Sequence, residues 1–380
     1  VIGLYVHIPF CAAICNYCNF NRGLFDPGLK ERYVDAVVAE IDGTRSSPAN
    51  ADPGGNRADT IYFGGGTPSL LEPLDIERIV TVCCEAFDVP AEREVTLEAN
   101  PETVTADRLA AFRNAGINRL SFGVQSFRDD ELIRLSRLHG AERARAAIRD
   151  ARAAGFDNIS LDLMMWLPGQ QVADWLESVD EAIVLAPDHL SLYLLEVYPN
   201  APLKDEMARA RWSQAPDEDA AAMYMEAMEH LDDAGYHQYE ISNVARPGRF
   251  SRHNLKYWTD GEWLGFGCGA HSTRAGMRWK NVSSTEDYVS RITRGKSTKA
   301  EVRALGVEEH IGDALFTGLR LSEGVDLDAV QGRYGVDIWG RYEPDLSLFV
   351  EKGLLVKEDR RIRLTRQGML LAHEIMAVFV

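Results

Sequence analysis

The feature that most constrains this fold is an alternation. From residue 1 to about residue 200, short apolar runs take turns with longer stretches of helical period. The runs at 1–8, 60–63, 94–98, 119–123, 158–162 and 189–193 are short, with apolar residues at successive or alternate positions, and read as strands of a covered parallel sheet. Between them, 106–115, 129–135, 141–154 and 172–185 read as helices, with Gly116 and Gly155 placed as C-caps. Such repetition builds an α/β fold with a parallel sheet covered by helices. About six units predict an open, partial (β/α)6 barrel of the TIM type, with functional groups at the C-terminal ends of its strands.

The loop leaving the first run carries Cys11, Cys15 and Cys18 at a C-x3-C-x2-C spacing. Thiolates so placed suit an iron–sulfur cluster or zinc. A cubane takes four ligands, so three leave one iron open to an exogenous group. A zinc site closed by His7 or by a distant donor is the alternative. Conspicuous residues then recur at successive strand ends: Gly64–Gly65–Gly66–Thr67, Glu98, Gln125 and Asp162. Glycines let a ligand approach the backbone, and exposed N–H groups can hold its polar end. Singly, each has an ordinary reading as a turn, a helix cap or a structural hydrogen bond. As a series on one rim they mark a site.

Composition narrows the setting. At 380 residues, 46% hydrophobic and 26% charged, the chain can bury a large core and form a main domain with a smaller one. No apolar run reaches a membrane span and no secretory leader is visible, although the chain opens on Val1 rather than Met. Six cysteines, three of them clustered, do not resemble a disulfide framework and point to a reducing cytoplasm. The net charge of −17 argues against nucleic acid, with 246–252 as one local basic stretch.

The cysteine loop, with Tyr17 before its last cysteine, resembles that of the radical S-adenosylmethionine enzymes. The segments LYVHIPFC at 4–11, FGGGTPS at 63–69, LEANP at 97–101, RLSFGVQSF at 119–127 and LDLMMWLPGQ at 161–170 resemble the group typified by oxygen-independent coproporphyrinogen III oxidase. The resemblance implies a [4Fe-4S] cluster on Cys11, Cys15 and Cys18, with S-adenosylmethionine on the open iron. It implies that Gly65, Gly66 and Thr67 receive the methionine amino end. Tyr5, Tyr17, Glu98, Gln125, Arg137 and Asp162 would contact the rest of that cofactor, and Glu196 and Ala270 its adenosyl part through backbone. The family pattern has Tyr-Gly where this chain has Met165-Trp166, which leaves the shape of the fifth loop open.

Three features divide the group. Phe20 stands where the oxidase is expected to carry one more cysteine, and the sequence given begins almost at the first strand, where the oxidase is expected to have an N-terminal extension. His253-Asn254-Leu255-Lys256-Tyr257-Trp258 is similar to the H-N-x-x-Y-W motif of the heme chaperones of the HemW branch. The resemblance therefore implies a heme chaperone that binds heme and delivers it to apo-hemoprotein recipients, served by an electron donor. His253 would be the ligand to heme iron, since a neutral imidazole is a sound axial donor, and Tyr257 and Trp258 could stack on the porphyrin. The alternative makes Trp258 core and His253 a hydrogen-bonded strut. His271 is a second ligand or a structural residue; Cys83 and Cys84 read as packing, and Cys268 as structural or a thiolate ligand. Rival activities are oxidative decarboxylation of coproporphyrinogen III, a radical methyltransfer or cyclopropane-forming reaction with two S-adenosylmethionine molecules, and a zinc-bearing binding module.

The domain reading is 1–200 for the barrel, 201–300 for connecting helices and the heme motif, and 301–380 for a winged-helix-like module. In the last, helices are expected at 308–318, 326–334, 345–352 and 366–379, with a hairpin of 354–357 and 361–364. Mixed charge there disfavours DNA and favours a protein partner or a cover for the barrel mouth. Weak association with a membrane surface, and a monomeric or dimeric state, stay open.

Overall fold

The computed structural model describes residues 1–46 and 56–380. Its frame is six parallel strands: β1 (Ile2–Ile8), β2 (Ala58–Gly65), β3 (Glu94–Ala99), β4 (Arg119–Gln125), β5 (Ile159–Met165) and β6 (His189–Leu194), paired in that order. Each is buried on both faces, for different reasons. In β1, Leu4, Val6 and Ile8 enter the hydrophobic core under the helices. The alternate residues turn to a polar interior, where Tyr5 Oη meets His7 Nδ1 at 3.1 Å.

The covering helices are α1 (Pro27–Gly43), α2 (Pro73–Ala86), α3 (Ala106–Asn114), α4 (Asp129–Arg134), α5 (Ala141–Ala153) and α6 (Val172–Leu185). Their starts follow from side-chain caps: Asp26 accepts from Leu29 N before α1, and Thr105 accepts from Arg108 N before α3. The partial (β/α)6 barrel is therefore the architecture, with all six strand ends on one rim.

The stretch 201–300 differs from the expected connecting helices. Besides α7 (Pro202–Ala210), α8 (Asp217–Asp233), α9 (Arg252–Trp258) and α10 (Thr285–Thr293), it carries β7 (His237–Glu240), β8 (Asn243–Ala245), β9 (Trp263–Phe266), β10 (His271–Arg274) and β11 (Met277–Asn281), with β12 (Lys299–Ala304) straddling its end. These strands extend both edges of the barrel sheet. Among the described residues it becomes twelve-stranded, in the order β12-β11-β10-β9-β1-β2-β3-β4-β5-β6-β8-β7. They are three to six residues long and range from fully buried (Asn243–Ala245) to mostly exposed (Lys299–Ala304), so neither length nor alternation marks them in sequence. Glu40 of α1 pins one extension: its buried carboxylate accepts from Gly267 N, Asn281 Nδ2, Tyr288 Oη and Thr298 Oγ1 at 2.7–2.9 Å. The basic stretch is paired, with Arg249 on Asp157 and Arg252 on Asp59.

The C-terminal module has α11 (Val307–Gly318), α12 (Leu327–Tyr334) and α13 (Ile338–Glu351), and a wing in which β14 (Leu355–Glu358) and β15 (Arg361–Leu364) are joined by β13 (Val325–Asp326). Helix α13 starts seven residues earlier than expected. Asp337 caps it by accepting from Gly340 N, and Pro344 sits inside it rather than before it. The last helix breaks into Arg366–Leu370, Ala372–Met376 and a 3-10 turn. The module is tied to the sheet by Ile241 N to Arg320 O and Ser322 N to Tyr239 O, both 3.0 Å, and by Arg320 Nη2 on buried Glu240 at 2.9 Å.

Candidate functional site

The cysteine loop starts and ends on a short parallel ladder between Phe10–Cys11 and Gly23–Leu24. Gly23 N donates to Pro9 O at 2.6 Å and Phe25 N to Cys11 O at 2.9 Å, so the loop base is closed by backbone. Its middle is anchored by buried Asn16, whose Nδ2 reaches Arg134 O at 2.8 Å and Glu206 Oε2 at 2.5 Å. Arg22 donates to the carbonyls of Cys18 and Phe20. Cys11, Cys15 and Cys18 are unbridged and line one cavity of about 370 Å³ at the strand ends.

Of the expected cofactor contacts, Tyr17, Gly65, Gly66, Thr67, Glu98, Gln125, Arg137, Asp162 and Glu196 line that cavity. Gly66 N donates to Ile8 O at 2.8 Å, which seats the glycine turn against the cysteine loop. A Cβ on Gly66 would stand 2.7 Å from Phe10 O and 3.0 Å from Cys11 Sγ, so only glycine fits. Gln125 stands at a bulge in β4 with φ of 71°, which turns it out of the strand's register.

Two expected contacts lie elsewhere. Tyr5 lies below the cavity with its ring stacked on Tyr62, centroids 6.2 Å apart. Ala270 sits in the turn before β10, with its carbonyl accepting from Asn281 N and its N–H donating to Gly267 O. Both of its backbone groups are thus engaged by protein.

Burial works against ionised groups here, both thiols and carboxyls. Burial pushes the Cys11 and Cys18 thiols up. Arg137 places Nη1 3.5 Å from Cys15 Sγ, while its Nη2 donates to Asn100 Oδ1 and Gly123 O. Asn100 also donates to Thr67 Oγ1 at 3.3 Å. Glu98 accepts from Tyr62 Oη at 2.8 Å and from Gly65 N at 3.1 Å. Burial, with Asp162 nearby, pushes its carboxyl up to about 7. Asp162 is itself raised to about 6 by burial, although Ser121 and Ser191 donate to it. Asn16, Arg22 and Asn100 were not singled out in the sequence. Asn100 lies inside the LEANP segment and could have been, whereas Asn16 and Arg22 act through carbonyls that no motif records.

The donor set fits a cluster better than a closed zinc site. Among the described residues no three His, Cys, Asp or Glu side chains gather closely enough to hold one metal ion. His7 cannot be a fourth donor as it stands. Its Nε2 is taken by Asn21 O at 2.7 Å and its Nδ1 by Tyr5 Oη.

His253 is the main correction. The structure places it at the opposite end of the barrel from the cysteines, beside Gly3 and Thr60 at the starts of β1 and β2. The ring is buried, with Nδ1 2.8 Å from Thr60 Oγ1, Nε2 2.9 Å from Tyr257 Oη, and its face stacked on Tyr62 at 5.0 Å. Burial and Lys256 lower it to about 3, so it is neutral. Neither nitrogen is left for iron, and the strut reading describes what is seen. Cys268 is likewise structural, its Sγ 3.6 Å from Thr285 Oγ1, and Cys83 is core.

Comparison with known proteins agrees with this architecture. The Radical SAM superfamily profile matches residues 5–182, and the HemN C-terminal domain profile matches 306–371. Heme chaperone HemW of Bacillus subtilis is 35% identical over 99% of this chain and 98% of its own length. The mitochondrial radical S-adenosyl methionine domain-containing protein 1 of Mus musculus is 35% identical over 98% of this chain and 86% of its own. Among solved structures, coproporphyrinogen III oxidase (HemN) from Escherichia coli, a radical SAM enzyme, superposes with a TM-score of 0.86 at 25% identity, covering 100% of this chain and 89% of that one. The chain therefore belongs to the radical S-adenosylmethionine superfamily, in its HemN-like group and the HemW family, and that membership implies a [4Fe-4S] cluster and S-adenosylmethionine as cofactors.

Proposed function

We propose that this protein is a heme chaperone: it binds heme and hands it to apo-hemoproteins, while its strand ends hold a [4Fe-4S] cluster and S-adenosylmethionine. The observation that carries the reading is the full-length kinship with HemW, at 35% identity across 98% of the Bacillus subtilis protein. Phe20 supports it. This side chain lines the cavity mouth, 64% exposed, at the position where the oxidase pattern has a further cysteine.

Cys11, Cys15 and Cys18 would hold three irons of the cluster, and the fourth would take S-adenosylmethionine. When bound, that pair supplies an electron to a sulfonium and so breaks a carbon–sulfur bond. The chain's own residues prepare the place. Arg137 brings its guanidinium to 3.5 Å from Cys15 Sγ, and the Gly65–Gly66 backbone leaves room for the methionine end. Glu98, oriented by Tyr62 and Gly65, sits close to its titration midpoint, so an incoming cation shifts it to the carboxylate. Tyr17 and Met164 form part of the cavity wall. The recipients and the electron donor belong to the same proposal. For location, among the described residues no helix is long and apolar enough to cross a membrane.

The test is transfer. Heme-loaded protein, reconstituted anaerobically, is mixed with an apo-hemoprotein, and formation of the holoprotein is followed by absorbance against free heme at equal concentration. Faster or more complete transfer than from free heme is expected; transfer no better than from free heme would overturn the reading. A second reading, oxidative decarboxylation of coproporphyrinogen III, draws on the TM-score of 0.86 to the oxidase. Release of CO2 from that substrate would favour it.

A further inference from the structure

The loop that carries the three cysteines leaves its last one, Cys18, by way of Asn21. Both hydrogens of the Asn21 amide go to carbonyls far along the chain. Its Nδ2 donates to Cys268 O at 3.2 Å and to Ser283 O at 3.1 Å, and lies 3.7 Å from Cys268 Sγ. The Asn21 backbone carbonyl is engaged as well, accepting from His7 Nε2 at 2.7 Å. A carbonyl can only accept, so Nε2 carries the ring hydrogen and Nδ1 accepts from Tyr5 Oη at 3.1 Å. The His7 ring lies against Gly65, where a Cβ would stand 2.6 Å from its Cε1. Asn21 thus joins the outgoing arm of the cysteine loop to the glycine turn on one side and to the β9–β10 turn on the other.

The far anchor is itself held at every residue. Gly267 N donates to the buried Glu40 carboxylate at 2.8 Å. Cys268 N donates to Tyr33 Oη at 3.0 Å, whose own hydrogen goes to His7 O at 2.7 Å. Gly269 N donates to Val282 O at 3.0 Å, and Ala270 O accepts from Asn281 N at 2.8 Å. Gly269 takes a φ of 70°, and a Cβ on it would strike Asn21 Nδ2, so the turn is shaped around the amide. Within the arm, Arg22 turns back on the carbonyls of Cys18 and Phe20, which couples the place of Asn21 to that of Cys18. Cys268, Gly269 and Ser283 all lie outside residues 5–182, the part matched by the Radical SAM profile.

We propose that Asn21 is a positioning residue for the cluster, and that the β9–β10 turn is the anchor against which it sets Cys18. The cradle is then incomplete in the barrel alone and is finished by the strands that extend the sheet edge. The inference rests on the cluster part of the reading above and not on heme. Groups one step behind a metal ligand fix its orientation, and removing one costs roughly 10- to 100-fold in affinity for the metal.

The experiment reads cluster retention. Wild type and variants are reconstituted anaerobically, and the iron–sulfur absorbance is followed under excess iron chelator, with urea unfolding of each apoprotein alongside. Asn21→Ala is expected to lose its cluster roughly tenfold faster than wild type, with an unchanged urea midpoint. Asn21→Asp keeps the size but turns a carboxylate on two carbonyls, so it is expected to lose the cluster at least as fast. Asn21→Gln keeps the donor and is expected to recover part of the difference. Gly269→Ala attacks the clamp from its other side and is expected to shorten retention in the same way. In the Asn21→Ala background that change has no amide to strike, so the combined effect should fall well short of the product of the two. Retention equal to wild type in both Asn21→Ala and Asn21→Asp would overturn the inference. So would single effects that multiply in the double variant, or urea midpoints that fall in step with retention, which would make Asn21 a support of the fold. A wild type that assembles no cluster would refute the cofactor reading, and this inference with it.

Discussion

Replacing Glu98 with Gln should change how stability depends on pH, by an amount the site geometry sets. The Glu98 carboxyl rises from an ordinary 4.5 to about 7, chiefly because burial penalises its charge and secondarily because Asp162 shares the interior. At about 1.4 kcal/mol per unit this is on the order of 3 kcal/mol, and closer to 2 once the facing cavity is filled by water. The sign follows from linkage. A group whose folded pKa is raised contributes stability that is full below its unfolded value and lost as pH rises through the folded one. Wild-type apoprotein should therefore lose this contribution between about pH 5 and about pH 8, while Glu98→Gln has nothing there to titrate. Asp162 titrates in both proteins and largely cancels. Loss of one acceptor, from Tyr62 or Gly65, adds a constant offset. Urea unfolding of both apoproteins at a series of pH values reads the difference directly. The variant should gain on wild type by about 2–3 kcal/mol across that window. A difference that stays flat with pH would refute the reasoning.

Other outcomes follow from single contacts. Gly66→Ala puts a Cβ against Phe10 O and Cys11 Sγ, so iron and sulfide after reconstitution should fall several-fold while circular dichroism stays native. Trp166 sits at φ of 63°, where a side chain is strained. Trp166→Ala should cost about 3–5 kcal/mol in urea unfolding, and Trp166→Gly about 1 kcal/mol less, the reverse of the usual order. Arg320→Met leaves the buried Glu240 carboxylate without its cation. It should cost about 3–5 kcal/mol, and adding Glu240→Gln should recover part of that.

The barrel was legible because its strands are buried on both faces and its site residues sit where each strand ends. Gly65, Gly66, Glu98 and Asp162 announce themselves through chain order alone. The fifth loop shows where pattern needed structure. Trp166 takes a left-handed backbone conformation, φ of 63°, held by Nε1 on Ala215 O at 2.8 Å and by Gln214 on its carbonyl. The strands of 201–300 were missed because each is short and finds its partner across the sheet. His253 was misread for a related reason. An imidazole's role depends on what occupies its nitrogens, and Thr60 lies 193 residues away in sequence.

The most direct measurement is electron paramagnetic resonance of the anaerobically reconstituted, reduced protein with and without S-adenosylmethionine. The account predicts a [4Fe-4S] signal that changes shape when S-adenosylmethionine is added and disappears when Cys11, Cys15 or Cys18 is replaced by alanine. Zinc without sulfide, or a cluster signal indifferent to S-adenosylmethionine, would contradict it.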